Sequence, residues 1–153
     1  MTLRMTPSSS PAASPLWQQG WYRYARALAS PNVGPRPVAA VIDLIVIHSI
    51  SLPPGEFGNQ QVQRLFMNQL DWDAHPYFQS LRGLQVSTHF FIARSGELWQ
   101  FVSCDERAWH AGQSNYRGRP DCNDDSIGIE LEGLRGDFLK RPNTKHWAVS
   151  ARL

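Results

Sequence analysis

Residues 126–133, SIGIELEG, alternate Ile127, Ile129 and Leu131 with Ser126, Gly128, Glu130 and Glu132. A period of two places the branched side chains on one face of an extended strand and both carboxylates on the other. Such a segment needs neighbouring strands, and the chain supplies them. DLIVIH (43–48) is a short, β-branched apolar run, which predicts a buried strand. LQVSTHFFIA (84–93) and LWQFV (98–102), joined by the turn RSGE, predict a hairpin. In NQQVQRLFMNQL (59–70), Val62, Leu65, Phe66 and Leu70 share one helical face. Residues 16–30 predict a short amphipathic helix stopped by Pro31, and 32–41 a Pro-bearing extended linker. No internal repeat and no regular βαβ rhythm is present. The expected class is α/β, with a single mixed β-sheet flanked by helices.

A chain of 153 residues suffices for one domain with one core. Its 42% hydrophobic content excludes disorder of the whole chain, although the Ser/Pro/Ala-rich residues 1–16 are expected to be disordered. The net charge of +2 comes without a basic stripe interleaved with aromatics, so no nucleic acid partner is expected. No run is long enough to span a membrane, and the first residues lack an apolar core of signal-peptide length. Cys104 and Cys122 have no CxxC spacing and fit reduced thiols. The expectation is a cytoplasmic monomer with no membrane partner.

Several residues could carry chemistry. His48 ends an apolar strand and is followed by the Pro/Gly-rich loop SISLPPGEFG. Strand ends tend to carry ligands, and a neutral imidazole held there binds zinc well; the alternative is a hydrogen-bonded histidine at a sheet edge. Glu130 is either a carboxylate exposed on an open sheet face or a buried acid with a raised pKa, suited to deprotonating a metal-bound water. In RAWHAG (107–112), Trp109 and His110 form either an aromatic wall for a sugar or peptide or a packed loop. His89, set among apolar neighbours, reads as a core histidine satisfied by hydrogen bonds. Tyr77 either meets a ligand or braces its loop. Arg119 either grips a ligand carboxylate or lies solvated at the surface.

The stretches IVIHSISLPPGEFG, HPYF, STHFFIARSGELWQFV, RAWHAG and CNDDSIGIELEG occur in one order and spacing. Together they resemble the AmpD-type 1,6-anhydro-N-acetylmuramoyl-L-alanine amidases, within the zinc amidase and peptidoglycan-recognition group. The likeness runs from about Gly20 to Gly133. It implies a zinc hydrolase of the cytoplasm that cuts the amide between the lactyl group of anhydro-muramic acid and L-alanine, in cell-wall recycling. By position, His48 matches the first zinc ligand and Glu130 the catalytic glutamate. Trp109, His110 and Asn123 match residues lining the sugar–peptide cleft, with Tyr77 and Arg119 as further substrate-binding candidates. The anhydro-muropeptide is then the expected partner and Zn2+ the expected cofactor.

The resemblance also implies a second histidine, an aspartate and a lysine, in a stretch of the type GHxxIxPxRKxDPGP downstream of the glutamate strand. After Gly133 only LRGDFLKRPNTKHWAVSARL remains, and it lacks that pattern. His146 has no preceding Gly, and Asp137 lies too near Glu130 in sequence. Residues 17–133 thus read as the N-terminal portion of an amidase-like domain, incomplete at its C-terminus. Residues 134–153 read as an atypical, out-of-frame tail: read one frame over, with synonymous codons chosen for it, 137–153 encode an amphipathic helical pattern. Zinc binding by this chain is then expected to be weak or absent. The competing expectations are a non-catalytic module that binds peptidoglycan fragments and an inactive amidase fragment.

Overall fold

The computed structural model describes residues 15–134. The expectations for residues 1–14 and for the tail, including Asp137 and His146, lie outside the described residues.

Two short hairpin strands, β1 (Trp17–Gln18) and β2 (Trp21–Tyr22), open the described chain, followed by β3 (Arg26–Ala27), β4 (Val33–Gly34) and the long β5 (Leu44–Ile50). Helices α1 (Gln61–Phe66) and α2 (Pro76–Gln79) come next, then β6 (Phe90–Ile92), β7 (Leu98–Gln100) and β8 (Arg107–Ala108). The hairpin β9 (Asn115–Tyr116) and β10 (Arg119–Pro120) leads into the second long strand, β11 (Ser126–Glu132). Among the described residues the main sheet has the order β3-β7-β6-β11-β5. β11 runs parallel to both β5 and β6, β6 and β7 are antiparallel, and β3 joins β7 in parallel. The sheet is therefore mixed, as its sequence pattern predicts. No helix among the described residues is long and apolar enough to cross a membrane.

The core lies on one face of this sheet. Val62, Leu65 and Phe66, at the i, i+3, i+4 spacing of α1, are buried with Leu70, Phe78, Phe91, Phe101 and Val102. Ser30 Oγ donates to the Phe66 carbonyl at 2.6 Å and so satisfies a helix-end acceptor. Asn32 and Asn68 pair their side-chain amides reciprocally at 2.8 and 2.9 Å, tying β4's approach to the end of α1.

Two sequence expectations fail locally. Residues 16–30 form no helix. Gln19 and Gly20 both have positive φ (49° and 74°), the requirement of a two-residue hairpin turn, so 17–22 fold back as β1–β2. Tertiary contact holds this turn in place: a Cβ on Gly20 would lie 2.2 Å from Ser103 Oγ, and the Gly20 carbonyl accepts from Cys104 N at 3.0 Å. The first strand of the predicted 84–102 hairpin is also shorter than expected. Ser87 N donates to the Trp109 carbonyl at 3.0 Å, and Ser87 Oγ accepts from Trp109 N at 2.9 Å, so this stretch pairs with residue 109 before the hairpin begins.

The faces of β11 also divide unexpectedly. Ser126, Gly128, Glu130 and Glu132 are buried, whereas Ile127, Ile129 and Leu131 are only half-buried. Their neighbour Ile45 on β5 is 57% exposed. The small residues are what admits a neighbour to the acidic face: a Cβ built on Gly128 would lie 2.4 Å from His110 Cγ, so the imidazole packs directly on the bare backbone. A Gly128→Ala chain is expected to lose about 1–3 kcal/mol, the usual cost of overpacking. Gly34→Ala, whose added Cβ would sit 3.7 Å from Trp109 Nε1, is expected to stay near wild type. Urea unfolding of the two variants measures the difference.

Candidate active site

His48 and Glu130 are register partners on the adjacent parallel strands β5 and β11. Residues paired this way point to the same face, with Cα atoms about 4.8 Å apart. That face is the buried one. Glu130 is 3% exposed, and its Oε2 has no hydrogen-bond partner among the described residues. Burial disfavours the charged form and pushes this carboxyl up to about 8. His48 is half-buried, and burial lowers its imidazole to about 4, leaving it neutral at pH 7. A protonated carboxyl and a neutral imidazole therefore sit side by side.

The loop after β8 closes the site from beneath. His110 Nδ1 lies 3.0 Å from His48 Nε2, and His110 Nε2 lies 3.0 Å from Ser126 Oγ. His110 is 2% exposed; burial, then the nearby His48 ring, lowers it to about 2. Asn123 Oδ1 accepts from the backbone N–H groups of both His110 and Ala111, at 3.0 and 2.8 Å. His89 is fully buried; its Nδ1 accepts from Gly128 N at 3.0 Å and its Nε2 faces the Glu106 carbonyl at 3.0 Å. The expectation of a satisfied core histidine holds there. Glu132, two residues beyond Glu130 on the same face, is fully employed: Oε1 accepts from Gly58 N at 2.6 Å and Oε2 from Arg94 N at 2.9 Å. It anchors the Pro/Gly loop to the end of β11.

Of the residues singled out in the sequence, the fold brings together His48, Glu130 and His110. Trp109 is the half-buried neighbour of His110. His110 and Asn123 (5% exposed) lie beneath the site rather than on its rim, because their polar atoms are turned inward to neighbouring protein groups. Tyr77, 39% exposed, lines a separate cleft of about 780 Å³ at the C-terminal ends of β5 and β11, with Ile50, Leu52, Gly133 and Leu134. Neither His48 nor Glu130 lines that cleft. Arg119 is held at the opposite ends of these strands by Asp43 at 2.9 Å and Asp125 at 2.7 Å. Its anchor Asp43 precedes His48 by five residues, about 16 Å of strand rise.

Sequence reasoning missed Arg36 and Ser126. The Arg36 guanidinium donates to the carbonyls of Cys104, Asn123, Asp124 and Ser126, so one side chain fixes the start of β11 and the loop beside it. Arg36 sits in a Pro-flanked stretch with no local pattern, and nothing in the sequence marks those carbonyls as its targets. Ser126 reads only as a small residue of the strand.

Among the described residues no group of three or more His, Cys, Asp or Glu side chains could hold a metal ion. His48 supplies one donor. Among the described residues its Nδ1 has no hydrogen-bond partner, whereas Nε2 faces His110. An imidazole nitrogen and a carboxyl oxygen that both lack a partner among the described residues fit one corner of a metal site and a proton-transfer group next to it.

Comparison with known proteins places the chain in a family. The family model described as N-acetylmuramoyl-L-alanine amidase matches residues 38–153. The chain is 53% identical over 133 residues to the 1,6-anhydro-N-acetylmuramyl-L-alanine amidase AmpD of Salmonella typhimurium, covering 87% of this chain and 70% of that one. It is 52% identical over 136 residues to AmpD of Escherichia coli, covering 89% and 73%. Superposition on a crystal structure of a Se-Met AmpD derivative gives a TM-score of 0.75 at 51% identity, over 78% of this chain and 66% of that one. The chain thus spans about two thirds of the length of these relatives. With a family model over most of its length and half its residues shared with AmpD proteins, the chain belongs to the N-acetylmuramoyl-L-alanine amidase family.

Proposed function

We propose that this chain is a cytoplasmic, monomeric amidase acting on anhydro-muropeptides, cleaving the lactyl–L-alanine amide. The observation that supports this best is the in-register pair of His48 and Glu130 on one buried face, with Glu130 Oε2 unpartnered. Relatives at 52–53% identity carry the name of that activity.

His48 Nδ1 would hold the zinc ion that the family implies; when bound, the ion would polarise the scissile carbonyl and lower the pKa of water. Glu130 holds and moves the proton. In the chain alone burial keeps its carboxyl protonated at neutral pH; with the ion held at His48, the nearby positive charge would favour the ionised form. The carboxylate then takes a proton from the attacking water and delivers it to the departing amine nitrogen, so the leaving group departs neutral. The burial that raises Glu130 also limits access of bulk water, which keeps that proton in the site. The cleft containing Tyr77, beyond the ends of β5 and β11, would take part of the substrate.

A second reading is favoured by one observation, the lack of a three-donor metal group among the described residues. On that reading the chain binds muropeptides without cutting them.

Incubating the chain with a disaccharide anhydro-muropeptide and Zn2+ separates the two, with released stem peptide measured by chromatography. The amidase reading expects release, a fall of about 10²-fold or more in Glu130→Gln, and loss in His48→Ala. Saturable binding with no release supports the second reading instead.

Glu130 also makes stability depend on pH in a defined sense. Its folded pKa of about 8 lies above its ordinary value of 4.5, so from about pH 4.5 to 8 the folded state retains a proton that the unfolded state has released. Stability therefore falls as pH rises through that window. Relative to wild type, metal-free Glu130→Gln is expected to match at pH 4, gain progressively up to pH 8 and level off above it. Thermal unfolding across this range reads the trend.

A further inference from the structure

The proton positions along the chain His48–His110–Ser126–Cys122 follow from which atoms can only accept. The Cys122 carbonyl has no proton, so Ser126 Oγ donates to it and spends its single hydroxyl proton there. Ser126 Oγ can then meet His110 Nε2, 3.0 Å away, only as an acceptor, which places the His110 proton on Nε2. In the neutral ring His110 Nδ1 is consequently an acceptor, and it lies 3.0 Å from His48 Nε2. His48 must donate from Nε2. The nitrogen left without a proton is Nδ1, the one with no partner among the described residues.

We propose that Ser126 and His110 are positioning residues that fix His48 as its Nε2–H tautomer, so that the Nδ1 lone pair is the one presented to a ligand. The fold protects this relay at each link. Ser126 is fully buried, so water does not compete for its hydroxyl. Asn123 Oδ1 holds the backbone of His110 and Ala111. Gly128 leaves the space in which the His110 ring lies across β11. A histidine that binds a ligand through one nitrogen is oriented by the hydrogen bond of the other, and here that bond goes to a second imidazole anchored on a serine. The direction of the relay is set at its far end, by a backbone carbonyl that cannot reverse its role. His110 is thereby assigned a task different from lining a substrate cleft.

The inference rests on His48 being the ligand-binding histidine of the proposed function. Its test is made on the metal-free, 15N-labelled chain at pH 7.5, by long-range 1H–15N correlation of the imidazole nitrogens. The expected result is a single tautomer for both rings, protonated at Nε2, with a scalar coupling between His48 Nε2 and His110 Nδ1 across the shared proton. Ser126→Ala removes the acceptor for His110 Nε2–H; both rings are then expected to become tautomer mixtures and the coupling to be lost. A wild-type ring protonated at Nδ1, or a Ser126→Ala chain with the His48 pattern unchanged, overturns the proposal. Should that variant fail to fold, the wild-type spectrum alone decides. If muropeptide hydrolysis fails while the ring pattern stands, the amidase reading falls and the tautomer assignment survives; hydrolysis with the opposite pattern does the reverse.

Discussion

The parallel pairing of β5 with β11 is the constraint on which the rest of the structure depends. Seven consecutive residue pairs, from Ser126–Leu44 to Glu132–Ile50, fix a single register. A slip by one residue would move Glu130 to the opposite face of the sheet and separate it from His48. The buried face of the pair carries Leu44 and Val46 of β5 opposite Ser126 and Gly128 of β11, and those small residues let His110 pack on the strand itself. The same pairing that organises the sheet therefore creates the chemical site.

Burial then divides the labour between two carboxylates that the sequence presents as equivalents. Glu132 finds two backbone donors and becomes a clamp on the Pro/Gly loop and on the turn at Arg94. Glu130 finds no partner for Oε2 among the described residues and is forced toward its neutral form by burial. An unpartnered buried carboxyl costs stability, and the fold sustains it through surrounding interactions that are fully satisfied: Arg36 on four carbonyls, Asn123 on two amides and His89 on Gly128. Rigid support on every side of one unsatisfied group is the arrangement a proton-transfer residue needs.

Much of this was legible in the sequence. The runs 43–48 and 126–133 marked the two long strands because alternation and branching act locally, and α1 showed its buried face through the spacing of Val62, Leu65 and Phe66. The class of fold followed from the mixture of periods. The hairpin at 17–22 was not legible, because amphipathic spacing there was overridden by the positive φ of Gln19 and Gly20 and by the contact of Gly20 with 103–105. The burial of the acidic face of β11 was not legible either. Alternation shows that two faces differ, but which one becomes interior depends on a loop, RAWHAG, supplied from elsewhere in the chain. Arg36 and Ser126 escaped notice for the same reason, since their partners are remote backbone carbonyls or side chains that no local pattern announces.

The central claim is that strand register places Glu130, unpartnered and desolvated, beside His48. The most direct measurement is a 13C titration of the Glu130 side-chain carboxyl by NMR in the metal-free chain. The account predicts a midpoint near 8. A midpoint close to the ordinary 4.5 would show a solvated carboxylate and contradict the account.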